Sequence, residues 1–81
     1  MTTKKTTELD TGDRVTTPNG DRTGMVRRVH NGDQLSPPGQ EREGRTVQFQ
    51  SGSVQATDGK DLARPRAFVH AGDNAEWTVA D

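Results

Sequence analysis

The sequence predicts an all-β domain of about five short strands, and three observations carry that expectation. Apolar residues occur in short β-favouring runs, with no stripe of 3.6-residue period. Those runs are separated by Gly, Asn, Asp and Pro, including nine glycines and four prolines in 81 residues. Only 26% of the residues are hydrophobic, with two Phe, one Trp and no Tyr, which is enough for one thin core and for a single domain.

Taken in order, residues 1–10 contain threonine, lysine and acid with a single Leu9, a composition too polar to offset the entropy of ordering. A flexible N-terminal arm is expected there, followed by the folded domain over residues 11–70 and a C-terminal tail over 71–81. The first strand is centred on Val15 and stops at Pro18-Asn19-Gly20-Asp21, where proline presets φ and Asn-Gly tolerates positive φ. Residues 23–30 form the second strand, with Met25, Val26 and Val29 as its apolar members. Val26 and Val29 are three apart, so strict alternation places them on opposite faces; a bulge near Arg27 and Arg28 brings both inward.

Residues 31–44 read as a long, mobile polar connection after the second strand, with Leu35 as its one large apolar residue and Pro37-Pro38 as a loop device. Residues 45–50 are the clearest strand, because Val47 and Phe49 alternate with Thr46, Gln48 and Gln50. Ser51-Gly52 then turns the chain into 53–57, where Val54 and Ala56 repeat the alternation to complete a hairpin. Asp58-Gly59 ends that strand, and Asp61-Leu62 runs to a stop at Pro65. Beyond it, either residues 67–70 form a closing strand with the remainder folded back through Trp77, or everything after Pro65 is a tail. The expected core is Val15, Val26, Val29, Val47, Phe49, Val54 and Leu62.

Gly12-Asp13-Arg14-Val15, Gly20, Gly24-Met25-Val26 and Val29 form a pattern that resembles the opening of the KOW-motif and wider SH3-like barrel families. The hairpin from Val47 to Gly52 and Asp61-Leu62 before Pro65 look like the back half of such barrels, so the resemblance spans residues 11–65. It implies a small SH3-like barrel, and from the KOW side it implies RNA binding. Two departures count against that carry-over: the chain is not basic, and residues 31–44 insert a long loop where a tight connection is usual.

Composition excludes several chemistries. There are no cysteines, so disulfides, thiolate nucleophiles and zinc ribbons are out, as fits a reducing cytoplasm. No apolar run is long enough to span a bilayer, and a cytoplasmic, unsecreted protein with no membrane partner is expected. Eleven basic against 12 acidic residues create no global field toward nucleic acid. His30 and His70 lack acidic companions at metal-ligand spacing, and Asp10, Asp13 and Asp21 do not match a calcium loop. Gly20 to Gly24 has the glycines of a phosphate loop without its Gly-Lys-Ser/Thr or a following helix, and it reads as a hairpin turn. The serines and histidines show no coupling into a nucleophile and base. No catalytic residue, metal or cofactor is expected.

The candidate binding face consists of Arg14, Arg22, Arg27 and Arg28 with Trp77. The arginines suit phosphate contacts, but they serve equally as edge-strand charges paired with Asp13 and Asp21, which is the preferred reading. No aromatic interleaves with them in sequence, so a stacking platform for single strands is missing. Trp77 either plugs an open end of the barrel or anchors a partner, and the plug is preferred. The leading expectation is a monomeric, non-enzymatic module that binds a protein partner, with an exposed strand edge as the alternative route to a dimer. Nucleic-acid binding through the arginines is the runner-up, weak and readily dissociated by salt.

Overall fold

The computed structural model describes residues 2–57 and 67–80, and their alternating apolar and polar positions resolve into seven strands. These are β1 (Thr2–Lys5), β2 (Arg14–Thr16), β3 (Arg22–Asn31), β4 (Arg45–Phe49), β5 (Gln55–Ala56), β6 (Phe68–Ala71) and β7 (Glu76–Val79), with a 3-10 turn at Thr6–Glu8. They form one antiparallel sheet in the order β1-β7-β2-β3-β4-β6, and β5 pairs with β3 off that path. The sheet is not closed: β1 and β6 are its two edges. The all-β class is therefore present in an open sheet.

β3 organises the sheet because it is long enough to serve both sides. Its first half pairs with β2, Val15 lying opposite Gly24, and its second half pairs with β4, Val26 lying opposite Phe49. The register shifts between Val26 and Arg28. That bulge is where the spacing of the two valines required it. Val26 is fully buried, Val29 packs against the core, and Arg27 and Arg28 are both left in solvent. Gly24 is needed on the inward side, where a Cβ would sit 2.7 Å from Phe49 Cδ1 and 2.8 Å from its Cγ. At the hairpin between β2 and β3, Gly20 has φ of +79° and its N–H bonds to the carbonyl of Thr17 at 2.8 Å.

The core consists of Leu9, Val15, Val26, Val47, Phe49, Ala71, Trp77 and Val79. Phe49 and Trp77 meet edge to face, with ring centroids 6.2 Å apart. Val54 packs against this cluster from the side, while Leu62 lies outside the described residues.

Three sequence expectations are corrected. The N-terminal arm is partly a strand: β1 pairs along all of β7, from Thr2 opposite Val79 to Lys5 opposite Glu76. Its polar side chains gave no apolar signal, because an edge strand is held by main-chain pairing and by the two residues that follow it inward, Thr6 and Leu9. The C-terminal stretch is no tail, since β7 lies between β1 and β2 and carries Trp77, with no exposed surface, into the core. Finally, β5 does not form a hairpin with β4. Both lie on the same side of β3, Gln55 opposite Thr23, so the turn at Ser51-Gly52 passes the chain along β3 rather than back on β4.

Candidate functional site

Strand β6 completes one edge of the sheet, and its pairing determines what that edge offers. Its register with β4 sets Val47 opposite Val69 and Thr46 opposite His70, and the N–H of Phe49 bonds to the carbonyl of Ala67 at 2.7 Å. In an antiparallel ladder the directly bonded pairs alternate with unbonded ones. The main-chain groups of Ala67, Val69 and Ala71 therefore face β4, and those of Phe68 and His70 face outward. Among the described residues, β6 has no second strand partner.

A groove runs along this free edge, opposite the turn between β2 and β3. One part, of about 260 Å³, is lined by residues that include Asn19, Arg22, Leu35, Arg42, Phe68 and His70. A second depression of about 260 Å³ shares Asn19, Val69 and His70, and it extends toward Thr17, Ala71 and Ala75. Each falls below the roughly 300 Å³ at which small-molecule pockets begin. They have room for single side chains of a docked segment. Leu35 is 44% exposed and Phe68 39% exposed, the exposed large hydrophobic side chains among the described residues, and both line this groove.

The wall of the groove is built by residues 31–44, where the sequence predicted a mobile connection. Asp33 is buried and organises the segment. Its Oδ1 accepts the N–H groups of Leu35 (2.9 Å) and Ser36 (3.2 Å). Its Oδ2 accepts the Ser36 hydroxyl at 2.6 Å, the Arg42 N–H at 3.0 Å and Arg42 Nε at 2.8 Å. The Arg42 guanidinium, first, and then the Ser36 hydroxyl hold the Asp33 carboxyl far below the usual carboxylate range, and Asp33 in turn raises Arg42. The segment is also tied to β4, because Thr46 Oγ1 accepts the Gln34 N–H at 2.9 Å and donates to the Gly32 carbonyl at 3.0 Å. An Asx-type hub of this kind leaves no periodic signal in sequence, which is why the segment reads there as an unstructured loop.

The predicted arginine face is divided. Arg14, opposite Met25, and Arg27 and Arg28 at the bulge are exposed on the outside of the sheet. Arg22 lines the β6 groove instead, with Nη2 3.7 Å from Asp21 Oδ2. Asp13, expected to pair with arginine, pairs with Lys4 at 2.9 Å. The Asp10 N–H and then Lys4 hold the Asp13 carboxyl below its ordinary value. Trp77 belongs to no face at all: its indole N–H donates to Thr6 Oγ1 at 2.8 Å inside the core. The sequence reading missed the groove residues Leu35, Phe68 and Arg42. The signal available was Leu35, the single large apolar residue among the fourteen residues 31–44.

On the outside of β3, β4 and β6, Arg28 lies opposite Gln48 and Gln48 opposite Phe68. His30 Nε2 bonds to Gln48 Oε1 at 2.8 Å, and its ring centroid is 6.4 Å from that of Phe68. The His70 ring bonds through Nε2 to the Glu43 carbonyl at 2.8 Å. Among the described residues, no group of three or more His, Asp or Glu is placed to hold a metal ion. No family model matches the chain, and no curated protein or solved structure matches it significantly.

Proposed function

We propose that the chain is a small non-enzymatic interaction module that docks an extended segment of a protein partner along the free edge of β6. One observation carries the reading: Leu35 and Phe68, the exposed large apolar side chains among the described residues, border a groove beside a strand whose Phe68 and His70 main-chain groups face outward. An added strand would satisfy those groups, and its side chains would fill the two depressions. The other edge contrasts with it. β1 carries Lys4 and Lys5, charges that discourage pairing, whereas β6 is Phe-Val-His-Ala.

Within this proposal the SH3-like organisation corresponds to β2, β3, β4, β6 and β7, with β1 added at one edge and β5 beside β3. The reading places the module in a reducing cytoplasm, on the absence of cysteine from the sequence. No helix among the described residues is long and apolar enough to cross a membrane.

Nucleic acid is the competing partner, and the division of the arginines weakens it. Arg14, Arg27 and Arg28 meeting three phosphates give a salt slope of only about −2 to −3. The test is selection from a displayed library of random short peptides, followed by amide chemical-shift mapping of the selected sequences on the labelled protein. Shifts centred on residues 68–71, Leu35 and the turn at 19–22 are expected. A library that yields no binder, or sub-micromolar binding to RNA or DNA at about 0.15 M salt that Arg27→Glu with Arg28→Glu abolishes, overturns the proposal.

A further inference from the structure

The chemistry of the groove narrows the kind of segment it accepts, on the assumption that the β6 edge is the docking site. Asp33 already accepts five hydrogen bonds through its two carboxylate oxygens, and its side chain has no exposed surface. Arg42 meets it through Nε and the main-chain N–H only. Its Nη1 and Nη2 have no hydrogen-bond or ion-pair partner among the described residues, and its side chain is 55% exposed. The guanidinium is thus fixed at its inner end, and Arg42 lines both the groove of Leu35 and Phe68 and the depression beside Pro38 and Glu41. Fixing a guanidinium in advance removes part of the entropy that an exposed ion pair otherwise loses. Arg22 lines the same groove together with Asp21, its Nη2 3.7 Å from Asp21 Oδ2, so that pair adds little net charge and the selectivity falls to Arg42.

We infer that the β6 groove recognises an acidic extended segment, in which an apolar side chain packs on Phe68 and Leu35 and an Asp or Glu side chain two residues away on the same face meets the outer fork of Arg42. The spacing follows from the strand period of two, which returns alternate side chains to one face. The bond is charge-assisted, from Nη1–H and Nη2–H to the two carboxylate oxygens. A second copy of the chain fits less well, because it brings its own Arg42 toward the same groove.

Three labelled heptapeptides test this: Ser-Thr-Val-Thr-Glu-Thr-Ser and the versions with Gln or Lys in place of Glu. Binding is followed by amide shifts of the full chain, at low salt and at about 0.15 M. The Glu peptide is expected to bind about three- to fivefold tighter than the Gln peptide at low salt, as for an exposed pair of good geometry, and the Lys peptide weakest. The preference should shrink as salt rises. Arg42→Gln should bind Glu and Gln peptides alike while keeping the shifts at residues 68–71. Should that variant lose its fold, the salt dependence of the unaltered protein decides alone.

Equal binding of all three peptides at β6, or tightest binding by the Lys peptide, overturns acid selectivity and leaves the groove proposal standing. Absence of any shift at β6 with all three overturns both. A dimer whose contacts map to β6 without peptide overturns the inference in favour of a second copy.

Discussion

Replacing Thr6 by valine tests whether the first residues of the chain belong to the fold. Thr6 is completely buried, and its hydroxyl is an intermediate between two groups distant in sequence. It accepts the Trp77 indole N–H at 2.8 Å and donates to the Gly72 carbonyl at 2.7 Å. Valine keeps the shape and removes both capacities. Gly72 retains a partner, because its carbonyl also accepts the Ala75 N–H at 3.1 Å. The Trp77 indole does not, and Trp77 has no exposed surface from which to reach water. A buried donor left unsatisfied costs about 1–3 kcal/mol. For a domain of this size the total stability is of the order of 4–12 kcal/mol. Each kcal/mol moves Tm by about 4–8 °C. Thr6→Val should therefore melt roughly 8–16 °C below the parent if the loss is near the middle of that range. Urea titration monitored by fluorescence is well suited, because Trp77 is the only tryptophan and reports its own environment. Thr6→Ser keeps the hydroxyl and both hydrogen bonds and loses only the methyl group, so it separates the hydrogen-bond contribution from the packing. A Thr6→Val protein within about 0.5 kcal/mol of the parent would refute the docking of this segment and restore the flexible-arm reading.

Other outcomes follow from the same contacts. Gly24→Ala drives a methyl group into the Phe49 ring and should cost about 1–3 kcal/mol in urea denaturation, with the ring's proton shifts displaced. Phe49→Ala, which empties the centre of the core against Trp77, should cost about 3–5 kcal/mol, and unchanged melting would contradict the strand register. The Asp33 carboxyl is lowered in the fold, so its contribution is complete above the ordinary carboxylate value of 3.8 and fades only as pH falls toward the lower folded value. Its side-chain carbon shift should stay constant from pH 7 down to about 3, and a midpoint near the ordinary value would refute the hub. Arg27→Glu with Arg28→Glu leaves a folded protein with unchanged affinity for groove-binding peptides, since both residues are exposed and neither lines the groove.

The parts of the fold legible in sequence are those where side-chain pattern and main-chain demand coincide. The alternation of Val47 and Phe49, the turn at Gly20 and the bulge forced by Val26 and Val29 are of that kind. Leu9, Trp77 and Val79 enter the core from segments whose neighbours are polar, so their burial depends on pairings between residues more than seventy positions apart. Nothing local in the sequence carries that information. The groove was illegible for a related reason. Leu35, Arg42 and Phe68 come from different segments, and only the Asp33 hub and the position of β6 at the sheet's edge bring them together. The arginines, obvious in sequence, separate in space for the same cause: Arg22 follows the turn to the groove while Arg27 and Arg28 stay at the bulge.

Hydrogen exchange along β6 tests the free-edge account most directly, because it reads individual main-chain groups. The amides of Val69 and Ala71 face β4 and should exchange slowly, whereas those of Phe68 and His70 face the groove and should exchange fast. Addition of a groove-binding peptide should slow Phe68 and His70 and leave the other two unchanged. Protection of Phe68 and His70 in the protein alone, or no change at them when the peptide is saturating, would contradict the account.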